Sequence, residues 1–397
     1  MLLFKRLKPK VISVFFISTA ILASTVLLFD WNWFRPALER YISYKSDRVV
    51  KADDLQIEFD GFLQPTIKLR NFYIQNAAWS SKRPLISVKE ISFSFATFGM
   101  LFSDKRVIIE ISMSDGEVNL ERLSDGLRNW RLLEPSYRGP GKYIVMSLKP
   151  NLSTIRFTDR RNMLNMVAQI SAIAKTPVMI KKYKTFGSKV FTKQINFQGT
   201  YHGSKFVGLA VTGETITFQK TGKKFSIVGD IKADEMAMLI DGEIGDIFRD
   251  QLIDADIVFS TPSIAILNPF LNTHFPHSHA IKAQAHLKKE ANEYFADHLH
   301  GKIGTTDING EITYINNKNQ HLLNGSLSSK EAYLADLILT KSQKEDKKSD
   351  KKIAHSIWPL SKIPTEMLKS HDVNLTLNVD KLIAYQLPQI EMKDKCD

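Results

Sequence analysis

The sequence predicts a mainly β protein: a single N-terminal transmembrane helix, then an elongated, twisted, mostly antiparallel sheet with a few short helices. Three observations carry that expectation. Val11–Phe29 is a run of nineteen residues without a charge. Beyond Ser43 the apolar residues fall into period two and largely stay there. Apolar stretches at helical spacing are few and short.

Taken in order, residues 1–10 carry Lys5, Arg6, Lys8 and Lys10 ahead of the uncharged run, and Asp30-Trp31-Asn32-Trp33 follows it. At ~1.5 Å per residue, residues 11–29 nearly span a bilayer's hydrocarbon core as a helix. Cations before the span favour a cytoplasmic N-terminus. Trp31 and Trp33 suit the far headgroup interface, with the rest of the chain outside the cytoplasm. A cleaved leader is the competing reading. The run exceeds a usual leader's apolar core, and its best small-residue site, Ala23-Ser24-Thr25, lies inside it.

Next comes a short helix expected at Trp33–Ser43, with Pro36 in its first turn. Strand periodicity then sets in. Leu55, Ile57 and Phe59 alternate with Asp54, Gln56 and Glu58, and Ile91, Phe93 and Phe95 with Glu90, Ser92 and Ser94. Ile109 and Ile111 continue it, as do Ile195 with Phe197 and Ile257 with Phe259. Val373, Leu375, Leu377 and Val379 alternate with Asp372, Asn374, Thr376 and Asn378. Strands of this kind bury one face and wet the other. Met163–Ala174 fits a strand better than a helix, whereas Pro262–Leu271 and Pro364–Ser370 read as short helices. Residues 341–352, KSQKEDKKSDKK, are a charged loop without a core face. This divides the chain into a basic tail (1–10), a span (11–29), a β-rich body (30–340), that loop, and the start of a further β unit (353–397), apparently truncated.

The totals exclude several function classes. With 43% hydrophobic and 24% charged residues the chain is too apolar for general disorder. Its net charge of +12 comes without a zinc-finger or RNP-type pattern, so no nucleic-acid partner is expected, and an anionic membrane surface is the simpler one. The single cysteine, Cys396, permits no internal disulfide. Phosphate-binding glycine loops are missing, and Gly203-Ser204 lacks the second glycine of a nucleophile elbow. His274, His277 and His279 sit in a proline-marked loop, where a surface role outweighs metal ligation. His298 and His300 have no evident carboxylate partner in the sequence. No catalytic, cofactor-binding or metal residue is assigned, and the chain does not read as an enzyme.

Three stretches resemble the AsmA family. The first is Asp30–Leu38, DWNWFRPAL, leading through Asp54–Phe59 to Asn71–Pro84, NFYIQNAAWSSKRP. The second is Gly116–Trp130, GEVNLERLSDGLRNW, with its Asp-Gly-x-x-Asn-Trp close. The third is Phe295–Leu337, with a Gly-x-Ile-Gly-x-x-Asp-x-x-Gly strand pair and a Leu-x-Asp-Leu unit; Ile266-Leu267-Asn268-Pro269 precedes it. The resemblance implies an inner-membrane protein of a Gram-negative bacterium with a periplasmic, groove-like β body. It further implies phospholipids as partners, with acyl chains held in a hydrophobic groove during outer-membrane assembly. The alternative is a non-catalytic scaffold that touches outer-membrane assembly proteins and regulates protein targeting. Candidate lining residues are Leu55, Ile57, Phe59, Ile91, Phe93, Phe95, Ile109, Ile111, Ile257, Phe259, Val373, Leu375, Leu377 and Val379. Alternation alone leaves open whether they line a groove or fill a closed core.

Overall fold

The computed structural model describes residues 13–14, 17–18, 30–59, 64–96, 106–132, 143–145, 147–173, 190–213, 216–217, 224–245, 252–268, 277–290, 292–317, 320–337 and 372–383. A 3-10 turn, Trp31–Phe34, runs into α1, Arg35–Ser46. Asp30 caps the turn by accepting from the Asn32 amide at 3.0 Å. Pro36 stands in the first turn of α1, where its missing N–H costs nothing. The helix closes at Asp47, whose φ of 51° is left-handed. Turn and helix together therefore begin two residues earlier and end three later than the apolar spacing predicts.

Everything else described is essentially one sheet. β1 (Val50–Lys51) and β2 (Asp54–Phe59) lie end to end along one edge of β3 (Pro65–Ile74), which pairs onward with β4 (Ile86–Phe95), and β4 with β5 (Arg106–Arg122). All these pairings are antiparallel. The order is then broken by a parallel step: β6 (Tyr143–Val145) and β7 (Ser147–Asp159) both run alongside β5. From β7 the chain meanders through β8 (Leu164–Ala172), β9 (Lys193–Tyr201) and β10 (Ser204–Thr212). The two-residue β11 (Ile216–Thr217) reaches back to the start of β7, and β12 (Phe225–Ala233) resumes beside β10.

The meander continues through β13 (Met236–Gly245), β14 (Leu252–Thr261), β15 (Ile281–Glu290), β16 (Glu293–Ile303), β17 (Thr306–Asn317) and β18 (Gln320–Tyr333). β19 (Asp372–Ile383) then pairs parallel to β18. A parallel pair needs a long crossover, and both parallel steps have one. The result is a long, twisted, open, antiparallel-rich sheet. Neighbours along it are mostly neighbours in sequence, as hairpin connections require.

Met163–Ala174 is realised as β8, with Met163 itself at a left-handed turn position, φ 47°. Pro262–Leu271 yields only the 3-10 turn Ile264–Leu267, with Ser263 accepting from the Ala265 amide, and residues 269–271 lie outside the described residues. Pro364–Ser370 and the 341–352 loop also lie outside them. So does nearly all of Val11–Phe29, where only Ser13, Val14, Ile17 and Ser18 are described, as helix. Among the described residues no helix is long and apolar enough to cross a membrane.

The fully packed core sits at the N-terminal end. Leu55, Leu69, Ile91 and Met113 lie opposite one another on β2–β5 and are all buried. α1 covers them: Leu38 and Ile42 pack against this cluster, as do Trp31 from the preceding turn and Trp130 from beyond β5. The backbone of β1, of β2 and of the link between them is tied to the same helix and to the turn before it. The Ala52 amide donates to Glu39 Oε1 at 3.0 Å, the Val50 amide to Ser43 Oγ at 3.0 Å and the Leu55 amide to Asn32 Oδ1 at 3.3 Å.

Candidate functional site

Side chains alternate across a strand, so residues paired across neighbouring strands share a face. One such row starts at Val50 and runs through Ile74, Ile86, Val118, Ile155, Ala168, Phe197, Gly208, Ile231, Met238, Phe259, Ala283 and Gly301 to Ile308. It crosses fourteen strands, from β1 to β17, without a polar side chain. At about 4.8 Å between strands it is roughly 60 Å long. Parallel rows on the same face repeat the pattern. Ile170, Ile195, Ala210, Gly229, Ile240, Ile257 and Ala285 form one, and Leu120, Phe157, Met166, Gly199, Phe206, Ala233 and Met236 another. The opposite face is mixed: Gln169, Asn196, Asp230, Gln284 and His300 share a row with Leu209, Leu239 and Val258.

Burial changes along the apolar face. On β2–β5 it is closed over by α1 and the Trp130 segment. From β9 to β14 its large residues, among them Ile195, Phe197, Ile231, Met238, Ile240, Ile257 and Phe259, are only half-buried. The fully buried members of these strands on this face are mostly alanines and glycines, together with Phe225. A second small cluster, Val211 and Val228 with Ile173 and Phe191, packs on the opposite face. Among the described residues the apolar face is thus a closed core at one end and an uncovered strip, the trough, over the rest.

The trough floor is kept low by a local device. A Cβ on Gly208 would collide with the Phe197 ring and stand 2.6 Å from the Asp230 carbonyl oxygen. On Gly199 it would stand 2.8 Å from Phe206 Cζ. Each phenylalanine therefore lies over the glycine directly across from it, and the two rings are 6.3 Å apart. At the far rim Lys289 is buried, its ammonium 4.7 Å over the Tyr294 ring.

The sequence-chosen lining residues fall as follows. Leu55, Ile57, Phe59, Ile91, Phe93 and Ile111 all share the apolar face, and so do Ile257 and Phe259. Leu55 and Ile91 are buried beneath α1, whereas Phe59 is exposed. Phe95 is half-buried at a register shift where it pairs with Ile108. Leu375 and Leu377 are exposed and Val379 half-buried on β19. The Ile109 and Val373 side chains lie outside the described residues. Trp31 packs against the core, while Trp33 stays 84% exposed. The trough residues that alternation did not single out are Ile231, Met238, Ile240 and Phe206. Each strand's own pattern marks them, but only the register joins them into rows.

The family-like motifs turn out to be staples. Asn129, of the Asn-Trp close, is completely buried. Its side-chain carbonyl accepts from the Glu121 amide at 2.8 Å, and its side-chain amide donates to Asn119 O at 2.8 Å and to Asn76 Oδ1 at 3.0 Å. Asn119 in turn donates to Pro84 O at 2.7 Å, and Glu121 accepts from the Ser81 amide at 3.0 Å. Asp336, of the Leu-x-Asp-Leu unit, accepts from the amides and hydroxyls of Thr305 and Thr306 at 2.7–3.0 Å. Burial alone would push its carboxyl up, but those four donors more than offset it and hold the pKa below the usual value. Gly304, at φ +59°, leaves room for that carboxylate. Asp307 is likewise lowered, first by the Glu331 amide and against burial, with help from the Lys330 amide and the Ser329 hydroxyl.

The histidines are arranged differently from the sequence expectation. His298 does face a carboxylate, Asp297 at 2.9 Å, because a bulge with φ 50° at His298 turns the chain; His300 instead meets Asn309 at 2.8 Å. Of the HFPHSH loop, His279 lies 3.8 Å from Asp336 and His274 is outside the described residues. Among the described residues no group of three or more metal-ligating side chains forms.

A meandering sheet with one continuous apolar face, closed at one end and open beyond, defines a class of elongated β-trough proteins. The comparisons narrow it. The model of the AsmA family matches residues 5–137, which include α1, β1–β5 and the Asn129 staple. The AsmA family protein YhjG of Escherichia coli strain K12 is 20% identical over 379 residues, covering 85% of this chain and 54% of that protein. Over its first third, residues 5–137, the chain is thus similar to the AsmA family. It spans about half the length of the curated relative it matches. No solved structure matches it.

Proposed function

We propose that this AsmA-type protein is held in the bacterial inner membrane by Val11–Phe29 and carries phospholipid acyl chains along the trough in the periplasm, contributing to outer-membrane assembly without catalysis. The observation that carries the reading is the fourteen-strand apolar row whose members beyond β8 have, among the described residues, no helical cover like that at β2–β5. An apolar face of this extent calls for an occupant. Acyl chains need area rather than directional bonds, and each buried CH2 contributes ~0.8 kcal/mol. Ordinary Ile, Phe and Met side chains suffice, so no conspicuous polar site is required.

The test is photo-cross-linking in living bacteria, with a benzophenone amino acid at single positions of the full chain. Phe259 lies on the trough face and Val258, its neighbour, is exposed on the other. Both are apolar, so only the face differs. Lipid adducts at Phe259, Met238 and Ile240, with none at Val258, are the expected result. Equal labelling of both faces, or protein adducts in place of lipid at the trough positions, sinks the carrier reading, and the second outcome favours a scaffold for assembly proteins.

A further inference from the structure

The side of α1 turned away from the sheet has a composition unlike a solvated helix face. At ~100° per residue, Trp33, Ala37, Tyr41 and Tyr44 fall within an arc of about 80°. Trp33 is 84%, Tyr41 61% and Tyr44 82% exposed, and Phe34 beside them is 54% exposed. Arg40 borders this stripe on one side and Lys45 on the other, the latter 5.8 Å over the Tyr44 ring. No carboxylate interrupts it, because Glu39, the acidic residue of α1, is turned inward to the Ala52 amide. The opposite side of α1 is fixed to the sheet by Leu38 and Ile42 and by the Glu39 and Ser43 hydrogen bonds, and the turn before it by the Asn32 hydrogen bond.

We infer that this outward aromatic stripe rests in the headgroup layer of a bilayer, as a membrane contact separate from the uncharged run, with anionic lipid headgroups as its partner. The inference rests on the reading that Val11–Phe29 is anchored in that bilayer. Trp and Tyr combine an apolar body with a polar tip and settle where water meets hydrocarbon. Arginine and lysine on the borders complement headgroup phosphates. Position agrees: Trp33 follows the run by only four residues, which span at most about 14 Å. Because α1 is fixed to β1 and β2, a helix lying on the bilayer also sets the tilt of the whole sheet. Trp31 takes no part, since it packs against the core.

The experiment uses the full chain, with Cys396→Ser, in nanodiscs of phosphatidylethanolamine and phosphatidylglycerol. Single nitroxide labels are placed by Tyr41→Cys, Tyr44→Cys, Ile17→Cys and Lys232→Cys. Their accessibility to lipid-soluble oxygen and to an aqueous nickel chelate is read by power saturation. The expected result is a bilayer ratio at Ile17, an aqueous ratio at Lys232, and a shift at both tyrosine positions to an intermediate, interfacial ratio. An aqueous ratio at the tyrosines with Ile17 in the bilayer overturns the inference and leaves the anchor standing. Tyrosine labels shielded from both probes indicate a protein or second-copy contact and overturn it equally. An aqueous ratio at Ile17 overturns the anchor, and the inference with it.

Discussion

Replacing Asn129 by alanine is the sharpest test of the staple that closes the N-terminal core. The side chain is fully buried and makes three hydrogen bonds. Their losses are unequal. The Glu121 amide loses its acceptor outright, which costs about 1–3 kcal/mol. The Asn119 carbonyl oxygen loses a donor that water cannot replace in a buried site, about another 1 kcal/mol. Asn76 Oδ1 keeps the Ala77 amide at 2.9 Å, so its loss is small. The sum is about 3 kcal/mol, or roughly a hundredfold in the local opening equilibrium. Hydrogen exchange across residues 117–131 reads this directly, because the Glu121 amide is protected by the bond in question. The expected outcome is exchange of that amide accelerated roughly a hundredfold. Asn196→Ala, on an exposed position, should leave the same peptide unchanged. Less than a few-fold acceleration in the Asn129 variant would mean that the motif does not hold β5 in place.

Further outcomes follow from other contacts. Gly208→Ala forces a methyl group against both the Phe197 ring and the Asp230 carbonyl; a cost of about 1–3 kcal/mol in urea unfolding is expected, with fewer lipid adducts at Phe259. Arg122 is paired with the buried carboxylate of Asp159, so Arg122→Ala should destabilise by about 3 kcal/mol in the same assay, whereas Lys89→Ala, which removes the exposed partner of Asp115, should cost under about 1 kcal/mol. Asp336 has a lowered folded-state pKa, so its stabilisation is complete above the ordinary aspartate value of about 3.9 and is lost as pH falls through the folded value. Asp336→Asn should therefore lower stability at neutral pH and flatten the acid limb of a melting-temperature profile; an unchanged limb would remove Asp336 from the account.

The β class was legible because period two persists over most of the chain, and a half-buried strand leaves that trace in each segment separately. Leu55, Ile57, Phe93 and Ile257 share one face of the sheet, as that alternation requires. Register left no such trace. That Ile231, Met238 and Phe259 stand side by side depends on which hairpin residue starts each strand, and a shift of one would reverse every face. The parallel steps at β7 and β19 were equally silent, since nothing in a strand records its partner's direction. The motifs around Asn129 and Asp336 were visible, but a buried asparagine in a hydrogen-bond network and one in a binding site look the same until their partners are located. His298 shows the limit in miniature: its neighbour Asp297 was in plain view, and only the bulge brought the two side chains together.

The cover that α1 provides over β2–β5 makes the trough a cul-de-sac at the end nearest the N-terminus. Under the proposed carrier function, acyl chains would not be threaded in lengthwise past Leu55 and Ile91 but laid in broadside, across the flank beyond β8, and lifted out the same way. A chain taken up like this would detach by peeling, methylene after methylene, so its dwell time would grow with tail length at ~0.8 kcal/mol for each carbon held. The sheet would then sort its passengers by length with no pocket shaped to measure them.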